Sequence, residues 1–313
     1  MPGCIVELFS VVHSIGGDIL FPVPEEQSSM VDILEISLQG EGIPSKFVQE
    51  DCEYLGEAHE WLIKTTQEKW RARNDGAERN EAAIPSWITD SNAKYVIDIF
   101  KKLNFLSEKA PKLSLYQCAA ILGATAPNME QRMSYFAQLI DEDKIKVEKL
   151  FLLTGTRQVD YTKYYDGTDE YLESVREKFG VADLGERELM EDVYDRNCLT
   201  NDECAKVEKI SVFAKKESGR ATTVDTLLSF SKYFDDCKEI LYISVAPFII
   251  TQNEIIAKFA NEHKPHNYET VGAKANLNVG LSNQKIAHYL VMSFAEALYS
   301  AKDRMSIKSK EDL

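Results

Sequence analysis

The chain lacks several features that would assign it to a specialised class of protein. None of its apolar runs reaches the roughly eighteen residues that a transmembrane helix needs, so we predict no membrane span. The first 24 residues contain an apolar run but no basic segment, and Glu7 and His13 interrupt them, which argues against a cleavable signal peptide. Basic residues are also scarce: 36 lysines and arginines against 51 acids give a net charge of −15. Because such a surface repels phosphate backbones, nucleic acid is not an expected partner.

Cysteine is infrequent and scattered. The six cysteines include no C-x-x-C pair, and they are Cys4, Cys52, Cys118, Cys198, Cys204 and Cys237. This spacing does not fit a zinc site, and a chain of this length can bury a core without disulfides. We therefore expect reduced cysteines, no bound metal and a cytoplasmic location. Secretion as an effector without a cleavable signal peptide is the alternative.

From about residue 111, short apolar runs alternate with amphipathic segments. Five runs stand out, at 116–122, 150–153, 210–214, 240–246 and 268–271. Continuous runs of this length predict strands buried on both faces, and helices between them predict right-handed crossovers. The sequence therefore predicts an α/β fold over 111–313, with an open parallel sheet in three layers that is Rossmann-like. Residues 1–110 are predicted to form a mainly helical accessory region.

Helix signals are clear at two further places. Apolar residues recur at helical spacing over 92–105, and Asp90 or Ser91 is the expected cap. A second helix is predicted over 169–179, where Gly180 would end it.

An open parallel sheet binds ligands where loops leave the carboxyl ends of its strands. After the first run come Gly123, Ala124 and Thr125, which lead into a helix whose start could face an anion. After the second run come Thr154 and Gly155. A tight structural turn is the alternative for the first loop, which is neither G-x-G-x-x-G nor a P-loop.

Charged and hydroxylated side chains follow the later runs. Arg157 suits a phosphate or carboxylate, although a surface arginine is the alternative. The loop after the third run holds Glu217 and Arg220 and enters a helix through threonines and Asp225. Thr222 or Thr223 is the expected cap of that helix, and Asp225 suits its first turn. After the fourth run, Ser244 lies near a strand end, but without a G-x-S-x-G motif.

Several short motifs follow one another between residues 118 and 259. They are Ile121-Leu122-Gly123 with Arg132, Leu153-Thr154-Gly155, Glu188-Leu189-Met190, Glu217 with Thr223-Val224-Asp225-Thr226, and Ser244 with Phe248. In order and spacing these motifs resemble the YdcF-like family of bacterial Rossmann-type proteins. The resemblance implies a small-molecule cleft lined by Gly123, Arg132, Gly155, Glu188, Glu217 and Thr223. It also makes S-adenosylmethionine a candidate cofactor, because some relatives are associated with it.

These observations favour a protein that binds a small molecule, nucleotide-like or a phosphorylated metabolite. If the protein is an enzyme, Glu217 or Glu188 is the candidate general acid or base. Arg132, Arg157 and Arg220 are the candidate anion-binding residues.

Two other classes of function stay open. In one, residues 1–110 bind a protein partner and the chain acts as an interaction or effector protein. In the other, the chain is an S-adenosylmethionine-binding protein or methyltransferase. The second is less favoured, because no glycine-rich first loop followed by an acid at the end of the second strand is present.

Overall fold

The structure, a computed structural model, describes residues 24–48, 54–71, 82–159, 167–215, 221–277 and 281–311. It divides into two compact units. The helical unit contains the described residues up to Ser107, together with 250–254 and those from Ala275 onward. The α/β unit contains the described residues of Glu108–Ile249 and Ile255–Lys274.

Fourteen main elements follow one another along the described chain. In chain order they are α1 (Pro24–Ser37), α2 (Leu55–Thr66), α3 (Asp90–Lys102), β1 (Leu115–Leu122), α4 (Ala126–Asp141), β2 (Lys146–Thr154), α5 (Asp169–Phe179), α6 (Glu186–Asn197), β3 (Glu208–Phe213), α7 (Thr223–Phe230), β4 (Glu239–Val245), α8 (Ile249–Glu262), β5 (Asn267–Ala273) and α9 (Asn283–Glu311).

The five strands form one parallel sheet in the order β3-β2-β1-β4-β5. Each strand overlaps one of the apolar runs, so the prediction of a parallel α/β fold is confirmed. The order reverses between β1 and β4, because the chain first adds strands on one side of β1 and then on the other. This reversal marks the place where such sheets bind ligands.

Helices cover both faces of the sheet and give it three layers. On one face, α4, α5 and α6 pack through residues such as Phe136, Leu172 and Val193. On the other face, α7 and α8 pack through residues such as Phe230 and Phe259. Strands buried on both faces need apolar side chains at nearly every position, which explains the continuous runs in the sequence.

Two predicted helices lie close to their expected bounds. In α5, Gly180 follows the last residue with φ of 62°, a left-handed conformation that glycine adopts without strain, so its predicted role is confirmed. Helix α3 begins at Asp90 and is preceded by Thr89 as its cap, rather than by Asp90 or Ser91. The Thr89 N–H donates to Oδ1 of Asn92 at 2.9 Å, and this contact fixes the start of the helix.

The last helix packs in the core of the helical unit. Leu290 and Phe294 of α9 belong to the same hydrophobic cluster as Val96 and Phe100 of α3. The sequence alone assigned this helix to the region 111–313 because it follows the fifth apolar run. The contacts of α9 instead place residues from Ala275 onward with the described residues before Glu108.

One cysteine pair departs from the sequence-based expectation. Cys118 of β1 and Cys237, which precedes β4, form a disulfide with their Cα atoms 5.7 Å apart. The prediction of reduced cysteines is therefore wrong for this pair. Cys198 and Cys204 are free and buried, whereas Cys4 and Cys52 lie outside the described residues.

None of the helices in the described part of the chain is both long enough and apolar enough to cross a membrane.

Candidate functional site

The loops that follow β1, β2 and β3 begin side by side at the carboxyl edge of the sheet. Gly123, the first residue after β1, donates its N–H to the carbonyl of Leu153 at 2.6 Å. Ala214, the first residue after β3, donates its N–H to the carbonyl of Thr154 at 2.9 Å. The strands thus stay paired up to the edge, and the Gly123 loop starts at the reversal of strand order.

A buried carboxylate, Glu186, lies between the glycines of the first two loops. Glu186 is the first residue of α6 and is 5% exposed. Its Oε2 accepts a hydrogen bond from the Gly155 N–H at 2.7 Å. A Cβ atom on Gly123 would lie 2.4 Å from the same oxygen, so a larger residue at position 123 would displace the carboxylate. Both predicted loop glycines therefore adjoin one acidic side chain.

Arg157 forms a buried ion pair with this carboxylate. Its Nε lies 3.5 Å from Oε1 of Glu186, and its Nη2 donates to the carbonyl of Ala124 at 2.7 Å. The Arg157 carbonyl also accepts the Glu186 N–H at 2.9 Å. The sequence suggested that Arg157 holds an anion, and in the structure it contacts the anionic side chain of Glu186. Through Arg157, the first loop, the second loop and the start of α6 are joined.

The end of the third loop packs against the second. The Ala221 N–H donates to Oγ1 of Thr156 at 3.0 Å, and a Cβ atom on Gly155 would lie 3.1 Å from the Ala221 Cβ. Glu217 and Arg220 of the third loop lie outside the described residues, so their roles stay predictions. Three loops and one helix start thus converge around Glu186.

The loop after β1 offers an anion fewer backbone N–H groups than its sequence suggested. The carbonyl of Thr125, the cap of α4, accepts the N–H groups of Asn128 and Met129, each at 3.0 Å. Pro127 has no N–H, and the Gly123 N–H is bonded across the sheet. The Thr125 hydroxyl accepts a hydrogen bond from the Asn128 side chain at 3.1 Å. The start of α4 therefore has fewer free backbone N–H groups than a typical anion site at a helix start.

Two of the predicted site residues, Asp225 and Glu188, form hydrogen bonds that cap helices. Asp225 accepts the Thr222 N–H at 2.7 Å and donates its own N–H to the Thr222 hydroxyl at 3.3 Å, so Thr222 rather than Thr223 caps α7. Thr223 is the first residue of that helix. Glu188 accepts the Gly185 N–H at 3.0 Å at the start of α6. These contacts hold the helix starts that border the loops.

Arg132 and Thr154 are buried at the ends of the strands. Arg132, on α4, is 2% exposed and donates to the carbonyl of Leu122 at the end of β1. Thr154, the last residue of β2, donates its hydroxyl to the Val212 carbonyl at 3.5 Å. Both side chains hold strand ends in place, and the loops continue from there.

Ser244 lies at the same edge of the sheet but across the reversal of strand order from Gly155. It pairs with Gly272 of β5 and is fully buried. Its hydroxyl has no hydrogen-bond partner among the described residues. Strand β1 thus separates Ser244 from Gly155, although Ser244 lies beside the end of β1, where the Gly123 loop begins.

Sequence reasoning named Glu188 and missed Glu186. One signal was available, because a glutamate at the third position of a helix commonly reaches back to cap it. With Gly185 as cap, this pattern assigns Glu188 to the helix start and leaves Glu186 free for another contact. The sequence does not reveal that α6 begins beside the Gly155 loop, which the hydrogen bond between Glu186 and Arg157 establishes.

The chemistry of this arrangement follows from the carboxylate. An ionised carboxylate has about four lone-pair sites, so the hydrogen bonds from Gly155 and Arg157 leave acceptor capacity for a ligand hydroxyl or amino group. A carboxylate within reach of a substrate proton can also act as a general base. Over the ranges that the structure describes, no cluster of three or more histidine, cysteine, aspartate or glutamate side chains could hold a metal ion.

Comparisons of the chain with protein-family models, with curated proteins and with solved structures found no match, so the likeness to the YdcF-like family stays a prediction.

Proposed function

We propose that the α/β unit binds a small molecule at the carboxyl edge of its sheet, and that Glu186 contacts it. The ligand class that we favour is a nucleotide-like or phosphorylated metabolite. The observation that carries the proposal is the burial of the Glu186 carboxylate between Gly123 and Gly155, at the edge of the sheet where the strand order reverses and parallel sheets bind ligands.

The geometry of the carboxylate supports a ligand with hydrogen-bond donors. Oε2 and Oε1 of Glu186 accept from Gly155 and Arg157, so the acid is held in one position by two neighbouring groups. A fixed acceptor recognises a pair of hydroxyl groups or an amine with little loss of conformational entropy. The ribose of a nucleotide and the polyol of a sugar phosphate both present such groups.

A thermal-shift screen on the full chain tests the ligand class. Nucleotides, S-adenosylmethionine and sugar phosphates are added one at a time, and a ligand at 100 times its Kd stabilises the fold by about 2.7 kcal/mol. We expect one of these classes to raise Tm. If no compound of any class does so, the proposed ligand class is wrong.

A matched pair of variants then tests the position of the site. Glu186→Gln keeps the shape of the side chain but removes its charge, whereas Glu177→Gln makes the same change at an exposed position on α5. We expect the ligand-induced rise in Tm to shrink in Glu186→Gln and to persist in Glu177→Gln. An unchanged rise in a folded Glu186→Gln protein would place the ligand elsewhere.

A further inference from the structure

The α/β unit contains a pair of cysteines that the proposed ligand site does not use. Cys198 follows the last residue of α6, and Cys204 opens the short 3-10 helix Cys204–Lys206 ahead of β3. Both side chains are fully buried in the same hydrophobic cluster. The Cys204 thiol is near enough to that of Cys198 to raise its pKa.

The chain between the two cysteines is held in a turn by one asparagine. The Asn201 N–H donates to the carbonyl of Cys198 at 3.1 Å, and Oδ1 of Asn201 accepts the Cys204 N–H at 2.9 Å. The Asn201 carbonyl accepts the Ala205 N–H at 2.8 Å. The backbone and side chain of Asn201 thus keep Cys198 and Cys204 near each other independently of any bond between the thiols.

The same unit already contains one oxidised pair, Cys118 and Cys237. Disulfides form and persist where the surroundings supply an oxidant. Conditions that maintain the first disulfide would act on the second pair as well. Because the turn already holds the two cysteines near each other, little chain entropy is lost when the disulfide closes.

We propose that Cys198 and Cys204 are a redox modification site, which closes to a second disulfide within the α/β unit. The oxidant is a small disulfide such as oxidised glutathione. One cysteine thiolate attacks it, forms a mixed disulfide and releases one glutathione thiol. The second cysteine attacks the protein sulfur of that mixed disulfide and releases the other glutathione. Two protein thiols are oxidised, one small disulfide is reduced to two thiols, and the protons pass to the released glutathione.

The closed fold makes this exchange slow. The neighbouring Cys204 thiol and burial both raise the pKa of the Cys198 thiol, so little of it is the reactive thiolate. The reaction is therefore followed to equilibrium over hours rather than by its initial rate.

Tryptic digestion gives a direct readout. Trypsin cleaves after Arg196 and Lys206, so residues 197–206 leave as one peptide that contains Cys198 and Cys204 and no other cysteine. The reduced full-length protein is equilibrated in glutathione buffers of falling reduced-to-oxidised ratio, quenched with acid, alkylated in denaturant and digested. We expect both cysteines of peptide 197–206 to escape alkylation together. The peptide should then be lighter than its reduced, unalkylated form by the mass of two hydrogen atoms.

The Cys118–Cys237 pair, measured in the same digest, reports when the buffer is oxidising. The proposal is overturned if peptide 197–206 carries an alkyl group on each cysteine in every buffer in which that pair is closed. Glutathione on each cysteine, or bonds from them to other cysteines, would overturn it equally. In the control Cys204→Ala, the lighter peptide should not appear under any buffer, and its appearance would also refute the proposal.

Discussion

The Nε atom of Arg157 lies 3.5 Å from Oε1 of Glu186, and the two side chains are only 4% and 7% exposed. Removing one member of a buried ion pair costs more than the pair itself contributes, because the other charge stays buried. We expect Glu186→Ala to lower the free energy of unfolding by about 3–5 kcal/mol. Urea denaturation of the purified variant measures this change. The control Glu177→Ala removes an exposed carboxylate and should cost less than about 0.5 kcal/mol. Equal stability of the two variants would mean that the pair is not formed.

Gly123 leaves room for that carboxylate. In Gly123→Ala the new Cβ would lie 2.4 Å from Oε2 of Glu186, so the acid must leave the Gly155 N–H and Arg157. We expect a loss of about 1–3 kcal/mol in the free energy of unfolding. The control is Gly56→Ala on α2, where a Cβ meets nothing within 4 Å and alanine should be neutral or stabilising.

A double-mutant cycle separates this clash from other effects of the alanine. In a Glu186→Ala background the carboxylate is absent, so Gly123→Ala should cost markedly less than in the wild type. Strictly additive costs would show that the two residues are not in contact.

The helical unit contains a buried histidine that makes its stability depend on pH. His288 of α9 is 1% exposed, and burial lowers its pKa to about 4, with a smaller contribution from Lys285. An unfolded histidine has a pKa of about 6.5. As the pH falls, the unfolded chain therefore binds the proton first, and stability present above pH 6.5 is lost progressively down to about pH 4.

The contribution of His288 to this loss should reach about 3 kcal/mol. Unfolding free energies of the wild type and of His288→Leu, compared at pH 7.5 and pH 4.5, measure it. The variant should lose less stability on acidification than the wild type. The same loss in both proteins would show that His288 is not buried in its neutral form.

The disulfide between Cys118 and Cys237 joins residues that are 119 positions apart. Closing a loop of this length restricts the unfolded chain and stabilises the fold by about 3–5 kcal/mol. The double variant Cys118→Ala/Cys237→Ala should therefore unfold at lower urea concentration than the oxidised wild type. Treatment of the wild type with dithiothreitol should bring its unfolding midpoint close to that of the variant. If reductant leaves the wild type unchanged while free-thiol titration confirms reduction, the disulfide contributes nothing to stability.

Residues 1–110 alone should not fold cooperatively. The ring of Phe294 on α9 lies 5.9 Å from those of Trp70 and Phe100, and a fragment that ends at residue 110 lacks this helix. Without α9, large aromatic side chains that are buried in the helical unit become exposed to solvent. Circular dichroism of the fragment should show a gradual thermal change instead of the sharp transition of the full chain. A cooperative transition in the fragment would show that α9 is dispensable to the core.

Much of the α/β unit could be predicted from the sequence, because local patterns carry the information. A strand covered on both faces must be apolar throughout, so five apolar runs predicted five strands, and the helices between them predicted that the strands run parallel. The order of the strands in the sheet was not predicted. Gly180 likewise predicted the end of α5, since its left-handed conformation favours glycine. The loops of the candidate site were predicted because they follow strand ends.

Contacts between distant residues were decided only by the tertiary structure. Glu186 rather than Glu188 meets Gly123 and Gly155, because the start of α6 is fixed by a hydrogen bond to Arg157 in another loop. The pairing of Cys118 with Cys237 and the placement of α9 in the helical unit depend in the same way on which surfaces pack together. Hydrophobic periodicity records whether a residue is buried, but not the side chain against which it is buried. The sequence by itself thus determined the parallel strands and the loops at their carboxyl ends, whereas packing determined which acid lies among those loops and what holds it there.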